Sequence, residues 1–152
     1  MTLAEKLIEV AKTQIGVQEI PKGSNSGYDV EKYLKSIGLG KGYAWCMAFV
    51  YWCTDEASND LGVTNPLFKT GRVLKQWAKR PTLQVDTPQP GDIFIMDFGK
   101  GAGHTGIVER VLTGGRIATI EGNSNGTGAR EGQEVCRLTR KISGCKGFLR
   151  IV

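Results

Sequence analysis

Apolar spacing changes once along this chain, near Pro81. Before that point hydrophobic residues recur every three or four positions. After it they alternate or bunch in short runs between glycines. A helix buries one face at the first spacing and a strand one face at the second, so the two halves cannot use the same element. Leu3, Leu7, Val10, Ala11 and Ile15 predict a helix over 3–15 with Thr2 as its N-cap, ended by Gly16. A second helix over 29–37 turns Val30, Tyr33, Leu34 and Ile37 inward. A third, over 45–57, sends Phe49, Val50 and Cys53 to the core, and a short fourth over 72–79 holds Val73 and Trp77. Pro88-Gln89-Pro90-Gly91 is turn chemistry. Strands are predicted over 92–97, 105–111, 116–120, 137–139 and 148–152. Helices first and antiparallel sheet second make an α+β fold. Nothing marks a repeat or a boundary, so a single domain over 1–152 is expected.

The chain is long enough to bury a core without disulfide staples. Its 4 cysteines fit neither a disulfide framework nor a zinc pattern, and 1 histidine leaves few other ligands. Cys53 reads as a buried small hydrophobe. Cys136 and Cys145 read as free thiols unless their strands are neighbours. The net charge of +5 suits an anionic partner without choosing one, and no nucleic-acid-reading motif accompanies it. Arg137, Arg140, Lys141, Lys146 and Arg150 read as a solvated sheet face. No apolar run reaches the ~20 residues of a membrane span. Residues 1–15 carry Glu5, Lys6, Glu9 and Lys12 throughout and do not read as a secretory signal.

Cys46 opens the apolar helical run that continues to Cys53. The lone histidine, His104, begins a strand, and a second strand ends Ile120-Glu121-Gly122-Asn123. A thiol at a helix N-terminus sits in the positive end of the helix dipole, which favours the thiolate. An imidazole beside it holds the complementary charge, and a third polar group orients the ring. Gly114-Gly115 predicts a two-residue hairpin turn. That turn pairs Thr113 with Arg116, Val108 with Glu121 and His104 with Asn125. His104, Glu121, Asn123 and Asn125 then share one face, and the pairing alone does not choose which of them reaches the imidazole.

Four segments together carry a resemblance. They are Gly42-Tyr43-Ala44-Trp45-Cys46-Met47-Ala48-Phe49-Val50, Pro90-Gly91-Asp92-Ile93, Gly103-His104-Thr105-Gly106-Ile107-Val108 and Ile120-Glu121-Gly122-Asn123-Ser124. In this order they resemble the CHAP family, the cysteine, histidine-dependent amidohydrolases/peptidases allied to the NlpC-type cell-wall peptidases. The resemblance implies a papain-like fold and hydrolysis of an amide or peptide bond of peptidoglycan. It implies Cys46 as nucleophile, His104 as general base and acid, Glu121 as the orienting residue and Asn123 as a further polar residue. Some members carry an acidic calcium loop before the cysteine. This chain does not, so no metal and no cofactor are expected. Where papain-like enzymes often place an oxyanion glutamine, this chain has Gly40. The Cys46 N–H with a further donor, Tyr43, is the expected replacement. Trp45 is expected to form a cleft wall.

Two other readings stand beside this one. A thiol peptidase or amidase could act on a substrate other than peptidoglycan, or a silent module could keep the cleft only to bind cell wall. A monomer is expected, with peptidoglycan as partner and no nucleic acid. Without a signal, the chain is expected to reach the wall by phage lysis, by a secretion machine or as a fragment of a secreted parent.

Overall fold

The computed structural model describes residues 1–124 and 133–151, with the side chains of 123 and 124 outside the description. Four helices come first: α1 (Leu3–Gln14), α2 (Tyr28–Ser36), α3 (Cys46–Leu61) and α4 (Val73–Lys79). Six strands follow: β1 (Gln84–Val85), β2 (Ile93–Gly99), β3 (Ala102–Val111), β4 (Arg116–Ser124), β5 (Glu134–Lys141) and β6 (Gly147–Leu149). They form one antiparallel sheet in the order β1-β6-β2-β3-β4-β5. The α+β arrangement is the one the spacing predicts. The two-residue β1 carries too little pattern to be read from sequence.

Local chemistry explains the helix ends. The Thr2 hydroxyl accepts from the Glu5 N–H at 3.1 Å, and the Glu5 carboxylate accepts from the Thr2 N–H at 2.9 Å, a closed capping box. α3 ends at Gly62, whose φ of 69° is the left-handed cap that a side chain disfavours. α3 is buried along most of its first three turns, and its polar members are satisfied internally. Thr54 Oγ1 donates to the Val50 carbonyl at 2.8 Å, and Ser58 Oγ donates to the Thr54 carbonyl at 2.7 Å. α1 and α2 flank α3, and α3 lies against β3 and β4.

The sheet buries both faces. Ile93, Ile95, Ile107, Ile120, Val135 and Leu149 join the helices in the main core. Phe94, Val108, Ile117 and Phe148 form a second cluster on the opposite face. Strand parity places His104, Thr119, Glu121 and Arg140 on that second face.

The β3–β4 hairpin departs from the expected register. Leu112 N–H donates to the Arg116 carbonyl at 2.9 Å, so the turn holds three residues, Thr113-Gly114-Gly115. Gly114 and Gly115 have φ of 75° and 71°, which glycine supplies without strain. A bulge between Val108 and Arg110 then shifts the pairing again, so Val108 faces Thr119 and Ile107 faces Ile120. Each offset alone moves Glu121 to the other face. Together they cancel, and Glu121 keeps the face of His104 while moving beside Gly106. Asn125, expected opposite His104, lies outside the described residues.

Candidate active site

Trp45 sets the position of Cys46. Its indole N–H donates to Glu19 Oε2 at 2.7 Å, and its ring stacks on Tyr33 with centroids 5.7 Å apart. Glu19 is itself buried and also accepts from the Gly23 N–H at 2.8 Å. The indole is therefore a fully buried anchor for the start of α3. It is not the cleft wall expected from sequence, because no part of it reaches solvent. Against β4, a Cβ built at Gly122 stands 2.7 Å from Phe49 Cβ and 2.9 Å from Trp45 Cζ3. Only a glycine lets the start of α3 press onto the strand beside Glu121.

Cys46 is the first residue of α3 and is 2% exposed. His104 and Glu121 are wholly buried. His104 Nε2 lies 2.7 Å from Glu121 Oε1. The other ring nitrogen, Nδ1, is buried and has no hydrogen-bond partner among the described residues. Cys46 is close enough to the ring to raise its proton affinity. The imidazole is thus held through Nε2 by a carboxylate, with Nδ1 buried and unengaged.

Glu121 has further partners that the sequence reading missed. Arg140 Nε donates to Oε2 at 2.7 Å and Arg140 Nη2 donates to Oε1 at 2.5 Å. Thr119 Oγ1 donates to Oε2 at 2.6 Å. Arg140 was expected on a solvated face, yet its side chain is 12% exposed. The signal was present: Cys136, Leu138 and Arg140 alternate along β5, which puts the arginine on the strand's apolar face. A bidentate fork holds a carboxylate in one plane, so Arg140 and Thr119 fix the group that fixes His104.

Two large pKa shifts follow. Burial alone would lower that of His104, but Cys46 and then Glu121 outweigh it and raise the ring from 6.5 to about 9. Burial alone would raise that of Glu121, but Arg140 and His104 outweigh it and hold the carboxyl at about 2. At neutral pH the site therefore carries imidazolium, carboxylate and guanidinium in a row. Cys53 differs: burial pushes its thiol well above its ordinary value, as suits a packing residue. Cys136 and Cys145 are free thiols.

Gly106 makes the Glu121–His104 contact possible. A Cβ there would stand 2.6 Å from the Phe94 ring and 2.7 Å from Glu121 Cγ. Gly106→Ala should lower kcat/KM by about tenfold or more, with a stability loss of about 1–3 kcal/mol. Steady-state rates and thermal melts of the variant check this. Unchanged activity would mean that Glu121 tolerates displacement.

Tyr43 is 55% exposed, three residues before Cys46. It lines a cavity of about 510 Å³ beside the loop that enters α3. The Asn123 side chain lies outside the described residues, and only its backbone is placed, in β4.

The site gathers its parts from three regions of sequence. The likeness to the crystal structure of Ly7917 has a TM-score of 0.55 at 18% identity. It covers 99% of this chain but only 63% of that one, and it is a likeness of fold. A search of curated proteins finds none that matches. The model of the CHAP domain family matches residues 38–123, more than half of the chain and the whole stretch from the loop before Cys46 to Asn123. This chain belongs to the CHAP domain family.

Proposed function

We propose that the chain hydrolyses an amide or peptide bond of bacterial peptidoglycan through a thioester on Cys46. The family supports an amidase or peptidase acting on peptidoglycan. The observation that carries the mechanism is the two-sided His104 ring, with Nε2 on Glu121 and Nδ1 buried and unengaged. With Nε2 on Glu121, Nδ1 is the ring nitrogen left to exchange a proton with Cys46.

In the first half-reaction Cys46 Sγ attacks the scissile carbonyl. The proton from the thiol, held on the imidazolium, passes to the leaving amine as the C–N bond breaks. In the second, His104 Nδ1 takes a proton from water as the oxygen attacks the thioester. The C–S bond breaks, a carboxylic acid leaves and the thiol side recovers its proton. The N–H groups of the first turn of α3 have no carbonyl four residues back within the helix. Cys46 N–H is therefore the first donor for the developing oxyanion, with the exposed Tyr43 hydroxyl as the second. Asn123 takes the further polar role implied by the family. Both the muramoyl–alanine amide and a stem or cross-bridge peptide bond fit this chemistry.

Among the described residues no helix is long and apolar enough to cross a membrane. Peptidoglycan lies outside the cytoplasmic membrane, so the reading requires release by lysis or export of this chain or its parent.

Purified sacculi embedded in a gel should clear around the protein. Mass spectrometry of the released fragments then separates a new free alanine amine from a new internal peptide end. Iodoacetamide should abolish clearing by alkylating Cys46, and EDTA should leave it intact. Loss with EDTA, restored by calcium or zinc, would contradict the metal-free expectation. Intact sacculi with hydrolysis of another amide would favour a thiol amidase of a different substrate.

A further inference from the structure

The cavity of about 510 Å³ lies between the loop that enters Cys46 and the segment that enters α4. Both walls lead to the catalytic pair. Ala44, on one wall, is two residues before Cys46. Arg72, on the other, precedes Val73, whose Cγ1 stands 3.2 Å from a Cβ built at Gly103, the neighbour of His104. The floor is apolar, with Ile37 and Leu39. Gly71 keeps it open, because a Cβ there would stand 2.7 Å from Ile37 Cδ1. The exposed ring of Tyr43 stands at the rim.

The charge on this cavity is one-sided. Lys69 and Arg72 line it, both are exposed, and no lining residue is acidic. Among the described residues neither side chain is ion-paired or hydrogen-bonded, so nothing in the cavity offsets their charge. Small apolar floor, aromatic rim and two uncompensated cations favour a peptide with short aliphatic side chains and a free carboxylate.

We infer that this cavity is the subsite for a carboxylate-bearing stretch of the peptide cut by Cys46, with Arg72 as the carboxylate's main partner and Lys69 adding field. The inference rests on the proposed hydrolase reading and states which peptides that hydrolase accepts. A planar guanidinium can hold a carboxylate through two parallel bonds, which an ammonium cannot, so Arg72 rather than Lys69 carries the recognition.

The test uses soluble muropeptides with stem carboxylates free or converted to carboxamides. The parent should prefer the free acid. Arg72→Gln should raise KM on the free acid by roughly tenfold while kcat changes less than about twofold, and should barely alter KM on the carboxamide. Lys69→Gln should do the same more weakly, and Arg72→Lys should recover part of the loss. Lys79→Gln, which removes the same charge outside the cavity, controls for general attraction. Equal KM for parent and Arg72→Gln on the free acid overturns the subsite, as does an equal rise on the carboxamide. If the parent cleaves neither muropeptide, the peptidoglycan reading falls and the subsite with it.

Discussion

Cys46→Ala should lose hydrolysis by about three orders of magnitude or more while melting close to the parent, and Cys46→Ser should fare little better. Alanine removes the only atom able to form the thioester. It leaves the helix start anchored by Trp45 on Glu19, so folding has little reason to suffer. Cys53→Ala should keep activity and cost about 1 kcal/mol for a small void in the core. The pair separates chemistry from packing, because both thiols lie on α3 and both are buried. Sacculus clearing and calorimetry on the two variants suffice. Full activity in Cys46→Ala, or loss confined to Cys53→Ala, would remove the nucleophile assigned here.

Glu121→Gln is the second large effect. The amide keeps the shape but removes the anion shared by His104 and Arg140. kcat should fall on the order of a hundredfold or more. His104, raised to about 9 with the carboxylate present, loses that support while the Arg140 guanidinium stays nearby. Its pKa must move down, so the alkaline limb of the rate profile must move to lower pH. Stability falls as well, because Arg140 loses the carboxylate that it shares with His104. Glu121→Gln with Arg140→Met should recover much of the stability without recovering kcat. An Asn123→Ala limb that stays in place would complete the contrast. A Glu121→Gln profile that superimposes on the parent would transfer the orienting role away from Glu121.

The same shifts set the parent's stability across pH. The His104 contribution is complete below 6.5 and lost as pH rises through about 9. The Glu121 contribution is complete above 4.5 and lost as pH falls through about 2.

Helix positions were legible because apolar spacing, Thr2 and the glycines are local signals. Cys46, His104 and Glu121 stood out in sequence because a thiol opens an apolar helical run and the lone histidine and a carboxylate lie in strand-like segments; the structure places those two inside β3 and β4. The pairing of β3 with β4 was misread for a physical reason: sequence shows glycines but not whether a third residue joins the turn or where a bulge absorbs a position. The face survived because parity depends on the sum of the two offsets. Arg140 and Thr119 were missed because their role depends on where β5 lies in the sheet, which no local pattern gives. Trp45 was misplaced because its partner Glu19 is far away in sequence. Lys69 and Arg72 were unmarked because Lys69 lies in the segment before α4 and Arg72 is its N-cap, where no apolar pattern singles them out.

β5 is the last strand of the sheet, and it carries Arg140 near its free end. The segment 16–18 covers its beginning, with Gly16 N–H on the Val135 carbonyl at 3.0 Å and Val135 N–H on the Val17 carbonyl at 2.9 Å. Past that point its backbone pairs with β4, and the Arg137 side chain reaches Glu109 of β3. Edge elements open at lower free energy than the whole molecule. Inactivation by heat or urea should therefore run ahead of the loss of tryptophan burial at Trp45. The site fails first at its margin, by letting go of a guanidinium, while Cys46 is still in place.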